Sequence, residues 1–123
     1  MGNISKDNLY IFKAKCERVV DGDTIDVIID FGFDVSAKRR IRILDVDTPE
    51  RGQENYKEAT EFVKERVEGK ELLLQTYKSD AFGRYLARIW YTNEDTGEVC
   101  LNDELSMSDL LKPNSKWNNI NNI

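Results

Sequence analysis

No histidine occurs anywhere in these 123 residues. That absence removes the Ser-His-Asp triad and the Cys-His pair. It also removes imidazole as a metal ligand and as a general base near neutral pH. Any chemistry must therefore run on carboxylates, arginines, lysines, hydroxyls or a cation held by oxygen. Cysteine is almost as scarce: Cys16 and Cys100 stand far apart with no zinc-like spacing. Cys16 shares a face of an alternating run with Phe12 and Ala14, which reads as a buried free thiol in a strand; a disulfide between the two stays open. No run is long and apolar enough to span a membrane. The opening "MGNISKDNLYIFKAK" lacks a positive region followed by an apolar one, so no signal peptide is visible and a cytoplasmic protein is the expectation. Basic excess is missing too. The formal net charge is −5, whereas nucleic-acid binders are usually basic.

What is present suits one domain with a modest core: 40% of residues are hydrophobic and 33% charged. Residues 9–112 read as that core and 113–123 as a polar, Asn-rich tail with no interdomain linker. Residues 9–20 alternate, with Lys13, Lys15 and Glu17 on one side, and read as a strand. "TIDVIIDF" (24–31) and "AKRRIRIL" (37–44) read as two more, completing an antiparallel meander. Tyr56, Ala59, Phe62, Val63 and Val67 fall at helical spacing, with Gly69 as a stop. "KELLLQTY" (70–77) and "RYLARIWY" (84–91) read as strands four and five, with "EVCL" a short extension. Asn102 is placed to cap a short helix reaching Leu111. Five strands with a helix between the third and fourth is the order of an OB-fold, a Greek-key barrel that often binds oligonucleotides. The expected class is therefore mainly β with helices (α+β), closed by a short C-terminal helix.

The stretch "RVVDGDTIDV" puts three acids, Asp21, Asp23 and Asp26, into what should be a hairpin, where carboxylates are poor strand formers. Asp26 reads as solvated strand surface. Asp21 and Asp23 open strand two, and Asp47, Thr48 and Glu50 follow strand three. An antiparallel meander brings those two ends to one edge of the sheet. Two unit charges roughly 4 Å apart repel by about 4 kcal/mol at an effective dielectric near 20, so a cluster of acids needs a positive partner. With only oxygen ligands to offer, the natural partner is a hard divalent cation, Ca²⁺ or Mg²⁺. Arg42 in strand three and Arg84 at the start of strand five supply guanidinium forks that match phosphate oxygens. Cation and arginines together would form an electrostatic clamp for a phosphoryl transition state.

Three blocks, "VVDGDTIDV", "RILDVDTPE" and "DAFGR", resemble in order and spacing the signature blocks of the staphylococcal nuclease (thermonuclease) family. "VCLNDELSMSDLL" resembles the helix that follows the family's barrel. The resemblance covers about residues 10 to 112. It implies a five-stranded OB-fold barrel and Ca²⁺-dependent hydrolysis of DNA and RNA, giving 3′-phosphate and 5′-hydroxyl ends. Carried over residue by residue, it implies Asp23 and Asp47 as carboxylate ligands and Thr48 as a backbone-carbonyl ligand. Glu50 is similar to the family's general base, Arg42 and Arg84 to its phosphate-binding arginines, and Asp21 to the acid beside the ligands. Of the aromatic pair that brackets a base in the family, Ser115 and Trp117 stand in register, and only Trp117 can stack. The chain departs from the family's basic secreted member in its acidity, in Ala81 where a cation is common, and in its short tail. A nuclease acting as a monomer on DNA or RNA is the first expectation. A non-catalytic module of the same fold, binding nucleic acid or protein, is the alternative.

Overall fold

The computed structural model describes residues 10–79 and 85–111. Its elements run β1 (Ile11–Asp21), β2 (Thr24–Asp30), β3 (Ser36–Ile43), α1 (Tyr56–Val67), β4 (Glu71–Ser79), β5 (Tyr85–Asn93), β6 (Gly97–Cys100) and α2 (Leu101–Ser106). The sheet order is β3-β2-β1-β4-β5-β6, and a parallel pairing of β3 with β5 closes the first five strands into a barrel. The expected OB-fold arrangement is thus present, with α1 between the third and fourth strands. β6 adds a sixth strand outside the barrel, paired only with β5.

Period-two patterning builds the interior. Ala14 and Cys16 on β1, Ile25, Val27 and Ile29 on β2, and Ile41 and Ile43 on β3 all point inward and are buried. Leu72 and Leu74 on β4 and Ala87, Ile89 and Tyr91 on β5 complete that core. Both cysteines are free, and Cys16 is buried as its strand face requires. Burial pushes the Cys16 thiol up to about 11, so it behaves as an apolar filler rather than a nucleophile. The helix α1 lays Ala59, Val63 and Val67 against β1, and Gly69, at φ 77°, turns the chain into β4.

Two local readings need correction. Asn102 does not cap a helix that reaches Leu111. The helix α2 starts at Leu101, ends at Ser106, and has no side-chain cap. Asn102 lies inside it, buried, with its amide accepting from Ile89 N–H at 2.9 Å and donating to the carbonyls of Leu44 at 2.9 Å and Ala87 at 3.2 Å. It pins the end of β3 to β5 and α2. Asp26 is not simply solvated: Arg40 grips it with two hydrogen bonds of 2.8 and 3.1 Å, and Arg18 lies 3.8 Å away. Arg40's fork makes the largest contribution to holding the Asp26 carboxyl below its usual range. Among the described residues no helix is long and apolar enough to cross a membrane.

Candidate active site

The site forms where β1 turns into β2 and where the chain leaves β3. Asp21 pairs with Thr24 across a turn made by Gly22 and Asp23, and the Asp23 backbone N–H donates to Asp21 Oδ1 at 3.2 Å. Gly22 is required by proximity: a Cβ there would lie 2.8 Å from both Thr48 Oγ1 and Ala59 Cβ. The turn is therefore pressed against α1 and the segment after β3. That segment reverses at Asp45, which adopts φ 61°, and Val46 plugs into the core. Alternation then leaves Asp47 facing the turn and buries Thr48 against Gly22.

The β2–β3 register sets Arg42 opposite Thr24 and therefore beside Asp23. Arg42 is only 7% exposed and Asp23 only 8%. Arg42 Nη2 lies 3.6 Å from Asp23 Oδ2 and 3.4 Å from Asp47 Oδ1, so a single nitrogen serves both carboxylates. Arg42 Nη1 is held by the carbonyls of Ile43 at 3.0 Å and of Val46. Asp23 is bound at both oxygens: Oδ1 accepts from Thr24 Oγ1 at 3.0 Å and Oδ2 from the Thr48 N–H at 3.1 Å. Thr48 Oγ1 is buried and has no hydrogen-bond partner among the described residues.

Electrostatics divides the two acids of the turn. Burial would raise the Asp23 carboxyl, but the hydrogen bond with Asp21, the charge of Arg42 and the Thr48 and Thr24 donors together hold it below the usual range. Asp21 goes the other way. Burial first, then the hydrogen bond and charge of Asp23, push it up to about 6. As pH falls, Asp21 is thus the first of the pair to take up a proton and Asp23 the one that stays ionised longer. Glu50 is exposed on the same segment, two residues beyond Thr48, and its backbone N–H donates to Gln53 Oε1 at 2.8 Å.

Of the residues expected from sequence, the fold brings Asp21, Asp23, Arg42, Asp47 and Thr48 together and leaves Glu50 at the solvent side of the same segment. Arg84 and Trp117 lie outside the described residues. Among the described residues no group of three or more His, Cys, Asp or Glu side chains is gathered for a metal ion. The expected ligand set has two carboxylates and a carbonyl, so it falls below that number. Sequence reasoning missed Thr24, whose hydroxyl fixes one Asp23 oxygen, and Gly22, whose missing side chain lets Thr48 approach. It also missed Asn102, which anchors Leu44 just before the site segment. The Thr in "DGDT" was a visible signal for the first. Asn102 had none, because its partners are distant backbone groups.

A small closed barrel with a helix between its third and fourth strands and a buried acid–arginine cluster at one rim defines an OB-fold domain. A family model described as staphylococcal nuclease homologue matches residues 40–111, and the chain belongs to that family. The match takes in Arg42, Asp47, Thr48 and Glu50 and begins after the Asp21–Asp23 turn. Thermonuclease of Staphylococcus intermedius is 31% identical over 109 residues, covering 82% of this chain and 62% of that protein. Endonuclease YncB of Bacillus subtilis is 30% identical over 123 residues, covering 92% and 56%. Protein ParB of Escherichia coli is 32% identical over 82 residues, covering 67% and 44%. The chain spans about half the length of the curated relatives it matches.

Proposed function

We propose that this chain is a calcium-dependent nuclease that hydrolyses phosphodiester bonds of DNA and RNA as a monomer, with little sequence preference, leaving 3′-phosphate and 5′-hydroxyl ends. One observation carries the reading: Asp23 and Asp47 converge on a single buried arginine nitrogen. Two carboxylates held that close are costly unless a positive charge is their purpose. The buried Thr48 hydroxyl beside them adds oxygen-rich polarity with no group among the described residues to satisfy it. Once Arg42 gives them up, these oxygen donors suit a hard divalent cation, with Asp23, Asp47 and the Thr48 carbonyl as its protein ligands. Bound there, Ca²⁺ would supply Lewis-acid stabilisation of the charge that grows on the phosphoryl oxygens.

The remaining work falls to the chain itself. Arg42 is fixed through Nη1 to two carbonyls, and Nη2, which holds Asp23 and Asp47, exchanges those acids for a phosphate oxygen when cation and substrate bind. Arg42 and Arg84 grip the non-bridging oxygens of the scissile phosphate. Glu50, exposed where water can reach it, accepts a proton from the attacking water. The water oxygen bonds to phosphorus, the bond to the 5′ oxygen breaks, and that oxygen takes a proton from solvent and leaves as the hydroxyl end. Asp21 accepts the Asp23 backbone N–H and so holds the turn that presents the Asp23 carboxylate. Trp117 stacks on a neighbouring base.

The test is cleavage of plasmid and single-stranded DNA and of RNA with Ca²⁺ and with chelator. Wild type should cut only with the cation and leave 3′-phosphates. Glu50→Gln should slow cleavage about 10²- to 10⁴-fold, the usual worth of a general base. No digestion by wild type at micromolar enzyme would overturn the nuclease reading in favour of a binding module.

A further inference from the structure

The barrel has a second feature, at the end of β1 and β2 away from the acid cluster. Inward-facing positions normally finish in an apolar plug. Here the last such position on each strand is an aromatic or polar residue at an open mouth. Phe12 continues the face of Ala14 and Cys16, Phe31 that of Val27 and Ile29, Arg39 that of Ile41, and Tyr85 that of Ala87 and Ile89. Thr76 does the same after Leu74. The ladder between β4 and β5 is irregular from Thr76 to Ser79, and Tyr77 also reaches the mouth. The cavity measures ≈ 670 Å³. In a chain only 10% aromatic, five of its lining residues are Tyr or Phe, counting Tyr10. Several stay exposed: Tyr77 at 41% and Tyr85 at 44%. On the adjoining β2–β3 loop Phe33 is 100% exposed and holds a left-handed backbone, φ 55°, unfavourable for a bulky side chain.

Charge and position single out the occupant. Arg39 is the sole charged residue among those described at the mouth. Its guanidinium has no carboxylate partner among the described residues; its hydrogen bond goes to the Lys38 carbonyl. Rings that offer flat apolar faces, with one free cation among them, match nucleobases strung on phosphates. The Tyr85 side of the mouth is linked to Arg42 through the β3–β5 ladder. The pair Ile41–Tyr85 is the immediate neighbour of the pair Arg42–Leu86, about 3.3 Å along the strand, but alternation turns Arg42 to the opposite face, so a strand reaches both by crossing that rim.

We propose that this mouth is a base-stacking site for unpaired nucleotides of a single strand whose phosphate lies at Arg42. The proposal rests on the nuclease reading for its register with Arg42. Tyr77, Tyr85 and Phe31 stack bases and Arg39 takes a flanking phosphate. Bases locked in a duplex cannot enter, so the mouth favours single-stranded over duplex substrate.

The test measures binding of a fluorescent oligothymidylate to the full chain in chelator, where no cleavage occurs. The comparison ligands are an abasic strand of equal length, a duplex, and vesicles containing anionic lipid. Phe31→Leu, Tyr77→Leu and Tyr85→Leu keep apolar bulk but lose the ring, and circular dichroism checks that they fold. Each should weaken oligothymidylate binding about 5- to 150-fold and leave the weaker binding of the abasic strand unchanged. Arg39→Gln should weaken both. Cleavage of a dinucleotide, too short to reach the mouth, should keep its rate in all four variants. Equal oligothymidylate affinity in wild type and ring variants would overturn the proposal. So would a loss of vesicle binding alone, which would assign the mouth to a lipid surface. Cleavage without ring-dependent binding removes the mouth and leaves the nuclease standing. Ring-dependent binding without any cleavage supports the mouth and removes the nuclease.

Discussion

Replacing Arg42 by methionine is the sharpest structural perturbation, because one nitrogen serves two acids. At 3.6 and 3.4 Å each attraction is worth about 4–5 kcal/mol in gross Coulomb terms at an effective dielectric near 20. Desolvation of the guanidinium offsets much of that. Removing one partner of a buried ion pair nonetheless costs about 3–5 kcal/mol, because the other charge is stranded. Methionine keeps most of the volume, so the loss is electrostatic. The pH dependence has a definite sign. In the wild type the Asp23 carboxyl is lowered, so its contribution is present above the unfolded value of 3.8 and is lost as pH falls through the folded value. Without Arg42 one of the influences that lower Asp23 is gone and its carboxyl moves up from its wild-type position, so the variant falls behind the wild type as pH rises through the Asp23 titration. Urea denaturation in chelator should therefore show Arg42→Met destabilised by about 3–5 kcal/mol at pH 7 and by less as pH falls and the stranded Asp23 charge in the variant is neutralised. Calcium should restore part of the deficit, since a cation replaces the missing charge. A loss under about 1 kcal/mol at pH 7, or one independent of pH, would refute the account of the cluster.

Other predictions concern the supports of the site. Asp21 is raised to about 6, so its contribution is full below 3.8 and is lost as pH rises through 6. Asp21→Asn should then stabilise the cation-free protein above pH 6, by about 1–2 kcal/mol after discounting for partial exposure, and change little at pH 4; chemical denaturation at both pH values checks this. Gly22→Ala forces a methyl to within 2.8 Å of Thr48 and Ala59 and should cost about 1–3 kcal/mol, with Ala59→Gly in the same chain recovering part of the loss. Asn102→Ala leaves the Leu44 carbonyl and the Ile89 N–H without their side-chain partner and should cost about 2–4 kcal/mol, read as a lower thermal midpoint.

The sequence made the barrel legible because its signal is local. Alternation along β1, β2, β3 and β5 and helical spacing in α1 are properties of neighbouring residues, and each element lies within a few residues of its expected bounds. The acids and Arg42 were legible as well, since strand order alone carries the ends of β2 and β3 to one edge. The direction of Arg42 was not. A phosphate-binding arginine and an internal counter-ion occupy the same register, and only the fold reveals that its guanidinium is buried between Asp23 and Asp47. Asn102 was misread for a related reason. An asparagine before an apolar run signals a cap, but three backbone groups from β3 and β5 compete for its amide and win. Asp26 looked solvated because Arg40 lies fourteen residues away in sequence, and cross-strand pairing is invisible until register is known. The barrel mouth escaped notice because its rings come from on or beside four separate strands.

The most direct measurement is electron density for crystals grown with calcium and a nucleotide bisphosphate. The account predicts a cation contacting the carboxylates of Asp23 and Asp47 and the carbonyl of Thr48, with Arg42 turned to the phosphate. Density that leaves both carboxylates on Arg42, with the cation elsewhere or missing, would contradict it.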